Sequence, residues 1–297
     1  MTGRGCRPTW LPLRRPGCGP FVLFLAGRNP HRVAEPVQNE HMPTGATVSL
    51  RFGGDPRPTN VLQEDPDLAS GVPAEQVAAA ARASVTALLH AGRGTWDATA
   101  DAGRTRGGHG LLVLDGLLVR RVGFADRWAA ELLGPGDLLR PLEHDGQEAT
   151  LPFEATWRVL IDLRLAVLDR RWSYRMAPYP DVGIQLAGRA MLRARRLANT
   201  FAIAQQTRLD ARLHLLLWEL ADRYGRVHPD GVHLDLPLTH ELLSHIVAAR
   251  RPSVTSGLVR LADAGLAERT ATGWLLRGDP PTTSTWKPTR RPPSPGC

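Results

Sequence analysis

Apolar residues recur along the chain with two different periods, and the changes of period divide it. Val77, Ala78, Ala81, Val85 and Leu88 fall on one face at helical spacing, so the sequence predicts a helix from Pro73 to about Leu89. The period then shortens. Leu111-Leu112-Val113-Leu114 and Leu117 to Val122 flank Asp115-Gly116, which predicts two strands joined by a tight hairpin. Trp128 to Leu133, Thr156 to Leu160 and Leu163 to Asp169 read as further short strands, separated by the turn signals Gly134-Pro135-Gly136-Asp137 and Asp145-Gly146. Short strands punctuated by glycine turns predict a β-barrel or roll.

Helical periodicity returns at Asp181. The run to Leu209 is nearly free of glycine and proline and predicts one long helix. Ala187, Ala190, Ala194, Leu197, Phe201 and Ala204 alternate three and four apart, the seam of a coiled coil, with Arg189, Arg193, Arg195 and Arg196 largely off it. Such a seam serves either a second copy of the chain or the chain's own roll. A second helix follows from Asp210 to about Tyr224, with Leu213, Leu216, Leu217, Leu220 and Ala221 on one face. Gly225 and Pro229-Asp230-Gly231 end it, and Val232 to Leu236 alternates as a half-buried strand does.

The stretch from Thr239 to Leu266, THELLSHIVAARRPSVTSGLVRLADAGL, reads as two short helices with a tight connection. Leu242, Leu243, Ile246 and Val247 make the apolar face of the first, and Val254, Leu258 and Leu261 that of the second. Thr239 is placed to cap the first helix. Arg250, Arg251 and Pro252 open the second, where the missing N–H of proline has no intrahelical partner to lose. Ser253, Thr255, Ser256 and Arg260 lie between the apolar positions and face away from the first helix. Short hydroxyls and long cations are the side chains that reach phosphates and base edges in a major groove. Beyond Gly265, Leu266 to Arg269, a turn at Thr270 to Gly273, and Trp274-Leu275-Leu276 predict a small hairpin, which completes a winged helix-turn-helix.

Charge agrees with that pattern. The formal net charge is +8 over 297 residues, which favours an anionic partner such as nucleic acid. The three cysteines, Cys6, Cys18 and Cys297, sit in the flanks and build neither a disulfide framework nor a multi-cysteine metal site. A reducing cytoplasm is the expected setting, and no apolar run approaches a membrane span. Residues 1–58 and 279–297 are rich in proline and basic residues and are expected to be disordered, with Met42 one candidate initiator. The island Phe21 to Ala26 is too short and too broken to serve as an export signal. No enzyme is expected. His240 and His245 are five apart, about 140° around a helix, where the zinc-protease motif needs histidines four apart on one side.

The segment from Leu238 to Leu266 resembles the carboxy-terminal module of bacterial Crp/Fnr-type transcription regulators, and Glu131 to Leu139, ELLGPGDLL, resembles their cyclic-nucleotide-binding-like β-roll. The resemblance implies an α+β chain: a sensor β-roll over 59–180, a connecting helix over 181–209 and a winged helix-turn-helix over 210–278. It implies a homodimer on two-fold double-stranded DNA, with RNA polymerase a further candidate partner. By position, Arg251 resembles the residue that reads a guanine, Ser253 and Ser256 further base or phosphate contacts, and Thr239 a phosphate contact. Pro252 stands where relatives often carry a glutamate, so the target sequence should differ. In the roll, Arg140-Pro141 replaces the Gly-Glu pair that holds ribose, and Phe153, Glu154 and Ala155 stand near the phosphate-binding run. An acid beside a phosphate repels it, and without an arginine the bidentate contact is lost. Cyclic AMP is therefore expected not to bind, and no cofactor is identifiable. Trp128, Trp157, Trp172 and His144 are candidates to line a pocket of some other kind. The alternative reading is a ligand-binding or protein-interaction module whose winged helix no longer reads DNA.

Overall fold

The computed structural model describes residues 47–48, 58–98, 105, 107–140, 151 and 153–282. The three cysteines, Pro141, His144, Asp145-Gly146 and most of both flanks lie outside the described residues. Residues 47, 48 and 58 of the expected flank are nonetheless built into the sheet. Strand β1 (Thr47–Val48) pairs in parallel with β4 (Gly94–Trp96), and β2 (Pro58–Asn60) pairs with β3 (Val85–Ala91).

Between β2 and β3 lie α1 (Val61–Glu64), a 3-10 turn (Pro66–Ala69) and α2 (Ala74–Ala83). The helix expected to run to Leu89 stops six residues short, because Val85 begins a strand. At the junction the buried Ser84 hydroxyl lies 2.8 Å from the Ala81 carbonyl and 2.9 Å from Asn60 Oδ1, and accepts from the Leu62 amide. After it the β-branched pair Val85-Thr86 favours extended backbone. The expected apolar face changes accordingly: Val77 and Val85 are exposed, and Ala80 is the buried residue of α2.

The expected hairpin at Asp115-Gly116 is also absent. Strand β5 (Gly110–Phe124) runs straight through it, antiparallel to the equally long β8 (Glu154–Leu168), which likewise joins the two strands expected there into one. Gly116 forms a bulge: φ is 93°, the register with β8 shifts on both sides, and an added Cβ would lie 2.2 Å from the Asp162 carbonyl. The real reversal comes at Phe124 to Arg127, from which β6 (Arg127–Leu133) pairs back along β5. The loop at Gly134 to Asp137 then leads to β7 (Leu138–Leu139), and Asp137 Oδ2 accepts from the Gly134 amide at 2.9 Å.

The roll is filled by its own side chains. Trp96 and Trp157 meet edge-on at 5.7 Å among Leu89, Leu111, Val113 and Leu165. Trp172, on α3 (Arg170–Met176), is fully buried in a neighbouring cluster and donates from Nε1 to the Ser84 carbonyl. Trp157 and Trp172 are therefore core residues.

Helix α4 (Pro180–Ala204) ends five residues earlier than expected, at a break before α5 (Leu209–Tyr224), where Arg208 pairs with Asp210 at 2.7 Å. Val182 and Leu186 bury one side of α4. On that same side Arg189 pairs with Asp65, Arg193 with Glu131 at 2.7 Å, and Arg196 with Asp137 at 3.5 Å. The opposite side is bare. Ile184, Met191 and Phe201 are 64%, 74% and 69% exposed, so this face does not pack on the chain's own roll. Ala187, Ala194 and Phe201 of the expected seam lie on this face, together with Ile184, Met191 and Ala198. No helix among the described residues is long and apolar enough to cross a membrane.

Candidate nucleic-acid interface

The carboxy-terminal part is built around α5, whose Leu213, Leu216, Leu217 and Leu220 enter one apolar cluster with α6 (His240–Ile246) and α7 (Arg251–Asp263). Gly257, in mid-helix on α7, allows the approach: a Cβ there would meet the Leu213 side chain at 2.7 Å. The wing is a four-stranded sheet in the order β11 (Ala267–Arg269), β12 (Trp274–Leu276), β10 (Gly231–Leu234), β9 (Arg226–His228). The outermost strand, β9, carries no apolar alternation in Arg226-Val227-His228, so the hydrophobic pattern does not predict it. It continues the hairpin through the foreseen turn at Pro229-Asp230-Gly231.

Thr239 caps α6, its hydroxyl accepting from the Leu242 amide at 3.1 Å. The hydroxyl proton remains for an external acceptor. The turn between α6 and α7 is closed by Ala249 N donating to Ser244 O at 2.9 Å, and it places Ala248 at φ 51°. Arg250 stands at the N-cap of α7 without a side-chain capping bond, and Arg251 and Pro252 form its first turn.

Val254, Gly257, Leu258 and Leu261 are buried on one side of α7, while Arg251, Pro252, Ser253, Thr255, Ser256 and Arg260 are exposed on the other. Two of these hydroxyls are held locally. Ser256 Oγ donates to the Pro252 carbonyl at 3.3 Å, and Thr255 Oγ1 lies 2.9 Å from His240 Nδ1 and 3.3 Å from the Arg251 carbonyl. His240 thus braces α6 against α7, a contact that residue spacing alone did not suggest. Among the described residues, the guanidiniums of Arg250, Arg251 and Arg260 have no acidic partner. The wing's Arg269 is structural: it donates to the Leu238 carbonyl at 3.1 Å and lies over Trp274.

The module also touches the roll. Glu241 on α6 pairs with Arg121 on β5 at 3.3 Å, and Leu117, Val119 and Ala130 of the roll join the same apolar cluster as the helices. Beside them His245 is half-buried, and burial, then the Arg121 charge, holds its pKa below the usual histidine range. Among the described residues no cluster of His, Cys, Asp and Glu is arranged to hold a metal ion.

In the roll, Arg140 follows β7, while Phe153 and Glu154 sit exposed at the start of β8. The interior between the sheet faces belongs to the tryptophan-centred core.

No curated protein matches the chain. Among solved structures, a transcriptional regulator of the CRP family from Thermus thermophilus is 22% identical, with 56% of this chain and 81% of that one covered and a TM-score of 0.44. A CooA mutant from Carboxydothermus hydrogenoformans is 17% identical, covering 66% and 84%, at a TM-score of 0.47. A cyclic nucleotide-binding domain containing protein from Listeria monocytogenes is 13% identical, covering 56% and 78%, at 0.48. The family model of the Crp-like helix-turn-helix domain matches residues 211–277, from the first turn of α5 to the end of the wing. The match is confined to residues 211–277, which are similar to the Crp-like helix-turn-helix domain.

Proposed function

We propose that the chain regulates transcription as a homodimer that reads a two-fold site in double-stranded DNA through α7. The observation that carries this is the division of α7 into a buried apolar side and a bare side bearing Arg251, Ser253, Thr255, Ser256 and Arg260. In this reading Arg251 contacts a base edge, bidentate to guanine O6 and N7. Thr239 and Arg250 contact phosphates, and Ser253, Thr255, Ser256 and Arg260 supply further contacts to either. Pro252 fixes the first turn without offering a donor.

The exposed apolar face of α4 supports pairing between two copies, because Ile184, Met191 and Phe201 spend burial free energy while they face water. A two-fold pair on B-DNA places its half-sites about 34 Å apart. The filled interior of the roll, together with Arg140 and Glu154 at the positions discussed above, supports a protein that does not take cyclic AMP.

The test is binding to a selected operator over a salt series, for the wild-type chain and for Met191→Glu. The wild type should run as a dimer by light scattering and lose affinity steeply with salt. Met191→Glu should run at half the mass and bind weakly. A salt-independent affinity would favour instead a module whose winged helix does not read DNA, and an unchanged mass would remove α4 as the pairing surface.

A further inference from the structure

A groove of about 1100 Å³ opens between the β5–β6 turn, the end of α4 and the start of α7. Outside the α4 face proposed for pairing its lining is largely apolar, with Phe124, Trp128, Phe153, Leu197 and Ile246. Phe124 and Phe153 come from different strands and meet at 5.5 Å, yet they are 44% and 56% exposed and belong to none of the three cores. A tilted aromatic pair left in water in the lining of a concavity is the composition of a binding surface.

The other end of the groove is cationic. It is formed by Arg250, Arg251 and Pro252, the entry to α7. The acids on the walls, Asp126 and Glu241, are neighboured by Arg127 at 3.8 Å and Arg121 at 3.3 Å. That leaves Arg250 and Arg251, without an acidic partner among the described residues, to set the sign of the field. A second copy of a chain with net charge +8 is a poor match for that end.

We propose that this groove binds an organic anion with an apolar body, an acyl or aryl carboxylate or sulfonate. The body lies against Phe124, Trp128 and Phe153, and the anionic head meets Arg250 and Arg251. Under the function proposed above, the same two guanidiniums face DNA. Ligand and DNA then weaken each other's binding by the same factor, and the anion acts as an inducer that releases the operator.

Decanoate serves as the probe, titrated calorimetrically into the full chain without DNA, with decyltrimethylammonium as the cation of matching chain. Decanoate should saturate one site per chain and the cation should not. Phe124→Ser should weaken decanoate roughly tenfold or more through lost apolar contact, and Arg250→Gln should do so through the head group. Both residues are exposed, and unchanged melting temperatures establish that the variants are folded. Equal binding of anion and cation overturns the proposal, as does decanoate binding that neither variant alters. A Phe124→Ser chain that halves in mass while binding decanoate as before overturns it too, since a second copy then covers the groove. The two readings fail separately. Intact DNA binding without decanoate binding removes the groove, whereas decanoate binding without DNA binding supports the groove and removes the proposed role of α7.

Discussion

Ala248 is where a single side chain works against the fold. At φ 51° in the turn between α6 and α7, its Cβ crowds the following carbonyl, a conformation that glycine adopts freely. Ala248→Gly should therefore raise stability by about 1 kcal/mol in urea unfolding. A loss of stability would mean that the turn is held by something other than backbone preference. His214 makes a second residue-scale case. It is buried on α5 and accepts from Trp218 Nε1 at 3.0 Å, so the ring is neutral there, and burial lowers its pKa. The unfolded chain takes up that proton near pH 6.5 and the folded chain only at lower pH. Stability from this group is full above about pH 6.5 and is lost as pH falls through the lowered native value. His109 and His245 shift the same way, each through burial first and then the nearby charge of Arg140 or Arg121. The melting temperature should fall between about pH 7 and about pH 5.5, and fall less in His214→Gln. Equal falls in the two proteins would remove His214 as a contributor.

At the scale of elements, Gly116 decides how the roll is laid out. With φ at 93° and the Asp162 carbonyl 2.2 Å from a built Cβ, Gly116→Ala should cost roughly 2–4 kcal/mol by chemical denaturation. A cost under about 1 kcal/mol would mean that the bulge relaxes freely. The same glycine explains what was hard to read in the sequence. Asp115-Gly116 between apolar runs has the local chemistry of a hairpin, and nothing within six residues of it reveals that a 15-residue partner, β8, will hold the strand straight. The carboxy-terminal elements were legible because their signals are local. Thr239 caps, Pro252 opens a first turn, and Val254, Leu258 and Leu261 repeat on one face, all within a single module. The contacts that needed distant partners were not legible. These are Arg121 with Glu241, the three α4 arginines turned onto the roll, and the groove behind Phe124 and Phe153.

In the whole molecule, several of the charged contacts that join these pieces converge on α4 and α5. Asp137, 3% exposed by its side chain, holds the Gly134 amide and pairs with Arg196 of α4 and, at 2.8 Å, with Arg223 of α5, so one roll loop grips both the helix with the exposed apolar face and the helix that carries the winged module. Under the proposed function, this is the route by which a change at the roll would reach α7 and shift its population of arrangements. Everything rests on the bare side of α7 reading sequence. The direct measurement is selection of bound fragments from a random DNA library by the wild-type chain and by Arg251→Ala. The wild type should enrich a two-fold motif with half-sites one helical turn apart. Arg251→Ala should keep the motif but relax one symmetric pair of positions, at a cost of about 1–3 kcal/mol on the wild-type site. Enrichment of no motif, or of the same motif with undiminished preference at every position, would contradict the assignment of α7 as the reading helix.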